Sequence, residues 1–205
     1  VHPLVVSGWS ETLTVKVSIP VTVMVTSNGA YDGWVLESAQ GSGVGGSVGY
    51  GRITVGDNAG NRQRKGILFF NTVKIPAGAE IISATLKVTL RHVVGTNPFT
   101  TLGTFCADVM KGTFNQKRLQ KGDFQVSATA AQAAVMSDPL GNGSISTGSL
   151  NGDGINAINK GGITQVRVYF SQPTDGNMTT DAIVFRSGEA YDRANRPALE
   201  ITYLP

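Results

Sequence analysis

The chain has 205 residues and a formal net charge of +3, from 17 basic and 14 acidic side chains. Only 15% of residues are charged, against roughly a quarter usually, and 26 are glycine, nearly twice the usual share of about 7%. Valine and threonine, 42 residues together, favour strands and lose rotamer freedom in helices, so a helical bundle, a coiled coil and most α/β enzymes are disfavoured. A chain this poor in charge is also not the kind that stays unfolded, and its length suits one large all-β domain.

In chain order, Leu13, Val15, Val17, Ile19, Val21, Val23 and Val25 are apolar and odd-numbered, with polar residues between them except at Met24. Period two over 13 residues predicts a half-buried strand about 43 Å long, against the usual ~17–20 Å. Pro20 cannot donate to a ladder and marks an edge, bulge or break within it. Two readings stand: two consecutive strands of one domain bent at Pro20, or an arm, residues 11–19, that fills another subunit's groove. A short strand at Trp34–Leu36 follows, with Trp34 expected in the core, and then a loop over 40–51 with six glycines among its twelve residues. It lacks the ending of a phosphate loop.

Ile53 and Val55 predict a short strand, Asp57–Asn61 a turn, and Ile67–Phe70 a central strand. Ile82–Leu90 alternates cleanly, with one face on the core. Residues 102–110 read as a strand, 111–125 as irregular, 127–136 as an alanine-rich helix or a strand, and 138–153 as loop. Ile155–Lys160 closes a helical turn or two. Strands follow at Val166–Phe170, Ala182–Phe185 and Leu199–Tyr203. Nine to eleven short strands with glycine-rich turns predict an antiparallel β-sandwich of jelly-roll type with one or two helical turns. The expected division is an arm over 1–19 and one sandwich over 20–205.

Chemistry-bearing constellations are sparse. Two histidines, His2 and His92, give no basis for a triad or a multi-histidine metal site, and nothing singles out a pair of carboxylates, so a non-enzymatic protein is expected. The lone Cys106 excludes an intrachain disulfide and reads as a small buried hydrophobe. Arg62–Lys65 and Lys117–Lys121 read as solvated turns, so nucleic acid is not an expected partner. No apolar run is long enough for a membrane-spanning helix. Calcium fits better than transition metals, with oxygen ligands available from Asp57, Asn61, Asp153, Asp175 and Asp181; the competing reading is ordinary Asp and Asn turn chemistry. No other cofactor is implied. Tyr50 and Tyr191 are the candidate stacking platforms for a sugar ring, with packing as the competing role. Asn142 and Asn177 head glycosylation triplets that matter only in an exported protein. The chain begins at Val1, compatible with removal of an export leader, and an extracellular or cell-surface location is expected.

The C-terminal stretch Phe185-Arg186-Ser187-Gly188-Glu189, leading to Arg193-Ala194-Asn195-Arg196-Pro197-Ala198-Leu199-Glu200, resembles the closing motif of DNRLRE domains, a group related to carbohydrate-binding module family 96. Tyr31-Asp32-Gly33-Trp34, Val55-Gly56-Asp57, Pro76-Ala77-Gly78 and Ser83-Ala84-Thr85-Leu86 parallel the group's other elements in order, covering about residue 30 onward. The resemblance implies an extracellular jelly-roll sandwich, in some members linked to polysaccharide binding, with Glu189, Arg193 and Arg196 structural. The alternating arm is similar to the donor strands of prokaryotic surface fibres. Leu13, Val15, Val17 and Ile19 would be the anchors and Pro20 the joint, with copies of the same chain as partners and a head-to-tail filament as the product. The alternative is a module that binds a polysaccharide.

Overall fold

A computed structural model describes residues 18–205. Leu13, Val15 and Val17 lie outside the described residues. The fold is all-β: twelve strands form one curled sheet, a half-barrel wrapped around its core, and every pairing is antiparallel. The strands are β1 (Val21–Thr26), β2 (Gly33–Glu37), β3 (Gly45–Tyr50), β4 (Ile53–Gly56), β5 (Arg64–Asn71), β6 (Glu80–Val94), β7 (Phe105–Lys111), β8 (Ala130–Val135), β9 (Ile145–Ser149), β10 (Ile163–Phe170), β11 (Ala182–Phe185) and β12 (Ala198–Leu204). Two short helices intervene, α1 (Pro98–Thr101), capped by Asn97, and α2 (Gly152–Asn156), capped by Asn151.

The main path runs β1-β12-β6-β11-β4-β5-β10-β7-β8, with β9 beside β6 and the β2–β3 hairpin beside β5. The 15-residue β6 holds the curl together. Its first part pairs with β12 and β9, and its last part with β11. β6 carries an extra residue opposite each partner, Ile82 against β12 and Arg91 against β11, and these bulges add the local bend that such a curl needs. Inside it, Phe105 stacks on Phe170 and Phe185 at centroid distances of 4.9 and 5.5 Å. Around them pack Ile53, Leu68, Phe70, Leu86, Leu90, Val166 and Leu199, all buried. Burying each such side chain contributes about 1.5–3 kcal/mol before ordering costs.

The predicted loop over 40–51 contains β3. Glycine hides the strand because backbone contact, not side-chain packing, selects it there: a Cβ on Gly49 would stand 2.3 Å from the Trp34 ring. Within residues 127–136 the structure has the strand β8 and no helix, and α2 overlaps only the start of the helical turn expected at Ile155–Lys160. Trp34 is half-buried and not in the core, while its neighbour Val35 packs into a second apolar cluster with Ile67, Phe114, Leu119 and Phe124. Cys106 is buried, as its apolar surroundings predict.

Candidate functional site

Three places stand apart from the core. The first is the edge at β1. This strand pairs with β12 through Val21↔Tyr203, Val23↔Ile201 and Val25↔Leu199, and β12 pairs with β6 through Tyr203↔Ile81, Ile201↔Ala84 and Leu199↔Leu86. Three apolar rows therefore run across the inner face. Leu86, Leu199, Ala84 and Ile201 are buried, whereas Val25 and Val23 are only half-buried and Val21 is exposed. Cover fails toward β1, which ends the strand order. Among the described residues nothing pairs with its outer edge apart from a single bridge from Ser27 to Phe70. Ser18, Ile19 and Pro20 belong to no strand and are exposed, Ile19 at 75%.

The second is a meeting of loops. Asp57 follows β4 and Asp181 precedes β11, and antiparallel pairing of the two strands places the residues side by side. Asp57 N–H donates to the Asp181 carbonyl at 2.9 Å, and Asp181 N–H donates to Asp57 Oδ1 at 3.0 Å. Thr96 N–H donates to Asp181 Oδ1. Asn177 Nδ2 donates to Asp175 Oδ2 at 2.7 Å and to Asp181 Oδ2 at 3.2 Å. Asn61 Oδ1 accepts from Met178 N–H. Burial pushes the Asp57 carboxyl above its usual range. The nearby Thr174 hydroxyl and the Asp181 N–H oppose that rise, and the Asp181 and Asp175 charges add to it. Asp57 Oδ2 is buried and has no partner in hydrogen-bonding geometry. Of the five sequence-predicted calcium ligands, Asp57, Asp175 and Asp181 come from loops that meet, and Asn61 reaches that meeting only through Met178 N–H. Asp153 does not: it sits exposed in the first turn of α2 and shares no hydrogen bond with the others. Among the described residues, no group of three acidic, histidine or cysteine side chains is already gathered as a metal cage.

The third is a shallow groove of about 300 Å³ on the outer sheet face, lined by Trp34, Arg52, Thr54, Arg64, His92 and Val184 among others. The Arg64 guanidinium stands 5.6 Å from the Trp34 ring centroid and donates to the Asp57 carbonyl. A neighbouring depression shares Arg52 and adds Arg91 and Arg186, with Glu189 its one acid. No local run of residues hints at this basic strip, since its arginines come from four separate segments. Neither predicted sugar platform lines it. Tyr50 is half-exposed and its hydroxyl donates to the Leu119 carbonyl, while Tyr191 stands fully exposed between β11 and β12. Asn142 and Asn177 are both exposed, the latter engaged with Asp175 and Asp181. Arg196 Nε donates to the Ala190 carbonyl, a structural contact in the segment that carries the family resemblance.

No described helix is long and apolar enough to cross a membrane. No family model matches the chain, and no curated protein matches it.

Proposed function

We propose that the chain is an extracellular structural subunit that polymerises head to tail into a surface filament by donor-strand complementation. The fold in this reading is a jelly-roll sandwich of the kind found in DNRLRE domains, and its unfinished side is β1. The observation that carries the reading is the failure of cover along the rows ending at Val21, Val23 and Val25, beside an open strand edge. An incoming strand with apolar residues at every second position satisfies the free backbone groups and covers those valines together. Leu13, Val15, Val17 and Ile19 have that spacing. Ser18 and Ile19, the part of the arm that the structure describes, and Pro20, its joint, take no place in their own sheet. Each anchor that becomes buried contributes about 1.5–3 kcal/mol before ordering costs. Because donor and acceptor surfaces differ, the contact does not close and a filament results.

Negative-stain microscopy of the purified protein tests this. Filaments are expected from the full chain, and a folded or aggregation-prone monomer from a chain lacking residues 1–19. Assembly unchanged by the deletion refutes the proposal. Val23→Lys, which puts a charge into the middle uncovered row, is expected to leave the monomer folded and abolish filaments.

A second reading, a carbohydrate-binding module, is favoured by the groove at Trp34. An indole ringed by Arg52, Arg64 and His92 offers a stacking face and cationic donors, chemistry that suits a sugar bearing carboxylate or sulfate groups. Titration against a polysaccharide panel decides it: Trp34→Ala should weaken binding more than Tyr50→Ala or Tyr191→Ala.

A further inference from the structure

Arg52, Arg91 and Arg186 arrive at one place from three neighbouring strands. Ile53 of β4 pairs with Phe185 of β11, and Phe185 pairs in turn with Leu90 of β6. Ile53, Phe185 and Leu90 are packed in the core, and the residues next to them, Arg52, Arg186 and Arg91, line a depression outside it. Among the described residues the salt bridges are Lys87–Glu200 and Arg167–Asp108, so none of the three guanidiniums is paired with an acid. Glu189, the one acid lining the depression, forms no salt bridge with any of them. Arg186 Nε is buried with no hydrogen-bond partner. Like charges abreast in a sheet are destabilising, and a buried N–H without an acceptor is costly. The crowding extends into the Trp34 groove, which Arg52 also lines. There burial, with the Arg62 and Arg52 charges adding, pushes Arg64 below its usual range.

We infer that this depression holds the sulfate ester of a sulfated polysaccharide, whose sugar ring lies against Trp34 in the adjoining groove. The inference rests on the carbohydrate reading of that groove and is independent of the filament. The terminal oxygens of a sulfate ester are acceptors only, while guanidiniums are donors only and keep their charge at any physiological pH. A carboxylate offers its oxygens in one plane, enough for a single bidentate fork but not for guanidiniums arriving from three strands. A tetrahedral group can meet all of them. The bulge that makes Arg91 an extra residue in β6 breaks the alternation there and aims its side chain at the same depression. One indole suits one pyranose ring. A nucleic-acid strand instead needs aromatic platforms for successive bases, and Trp34 is the one Trp, Tyr or Phe lining the two depressions apart from Phe185, which is sealed in the core.

The test is calorimetric titration of the full chain with two matched pairs of polymers, λ-carrageenan against its desulfated form and chondroitin sulfate against chondroitin, in about 0.15 M NaCl to screen loose attraction. In at least one pair the sulfated member should bind about tenfold tighter or better. Arg52→Ala and Arg91→Ala, both at exposed positions, leave the protein folded and should each weaken that binding about tenfold. Lys117→Ala, an equal loss of charge at an exposed position elsewhere, should leave it unchanged. Trp34→Ala should weaken both members of the pair alike. Equal binding within both pairs, lost in Trp34→Ala, overturns the sulfate inference and leaves the carbohydrate reading standing. Binding weakened as much by Lys117→Ala as by Arg91→Ala also overturns it, because net charge alone then accounts for the attraction. Single-stranded oligothymidylate bound as tightly as the sulfated polymers overturns it in favour of nucleic acid. Binding of none of the four polysaccharides overturns both the inference and the carbohydrate reading.

Discussion

Asp108 and Asp57 are both buried carboxylates beside a strand, and the chain treats them in opposite ways. Asp108 Oδ2 accepts from Arg167 Nε and Nη2, and its Oδ1 accepts from Gln132 N–H and the Tyr169 hydroxyl. The third nitrogen of Arg167 donates to the carbonyls of Asp123, Phe124 and Val126, and its guanidinium stacks 4.6 Å over Phe114. Charge is matched there and the donors are spent, so that cluster fastens residues 112–129 onto the sheet. At Asp57 one oxygen is left over and two more carboxylates stand near it. A closed network specifies structure, while an open one leaves a valence for something to fill. Asp32 lies between the two. It has no cation, but Ser27, Phe69 N–H and Gly188 N–H all donate to it.

The largest expected effect comes from opening the closed cluster. Arg167→Met leaves Asp108 buried without its partner and should cost about 3–5 kcal/mol in urea unfolding. The double variant Arg167→Met/Asp108→Leu should recover much of that loss. A cost below about 1 kcal/mol for the single variant would mean that the matched charges are ornamental.

Asp32 gives the intermediate effect. Burial, reinforced by Glu189, raises its carboxyl to about 6 against the donors that oppose the rise. The folded chain therefore holds this proton more tightly than the unfolded one. The resulting stabilisation is complete below about pH 4 and is lost as pH rises through about 6, a change of about 3 kcal/mol in total. Urea midpoints collected across that range should follow this slope, and Asp32→Asn should flatten it. A slope unchanged in the variant would assign the titration to another group.

The smallest effect is expected at the open cluster. Asp175→Asn removes one of three like charges and should raise the thermal midpoint of the protein by about 1–2 °C. The sign is opposite to that of Arg167→Met, and a fall would mean that the three charges do not strain one another.

Two kinds of strand were legible: β6, β10 and β12 lie close to where period two puts them, and β5 and β11 close to unbroken apolar runs. β3 was not, because its glycines are chosen for approach to Trp34 and to the Lys121 carbonyl, and approach leaves no periodic trace. Alternation in Val166-Arg167-Val168 points Arg167 away from the core, and it does face away, but the irregular 112–129 segment folds over that face and buries it. Sequence periodicity reports which side of a sheet a residue takes, not what later covers that side. The candidate calcium segments were legible one at a time. Their meeting depends on the β4–β11 pairing, which local sequence does not encode. The start of β1 at Val21 agrees with the break that Pro20 marks in an otherwise continuous alternation.

The register of β1 also has a mechanical consequence. Val21 faces Tyr203, so the chain enters the sheet and leaves it at the same corner. Tension applied between those two points would peel β1 from β12 one pair at a time, at low force. Tension that enters through Pro20 and leaves along a strand docked on the outer edge of β1 would instead bypass those six pairs and pass directly between β1 and the docked strand. In a filament built that way, the pull that lengthens the fibre runs parallel to its hydrogen-bonded strands, the direction in which a sheet gives way last.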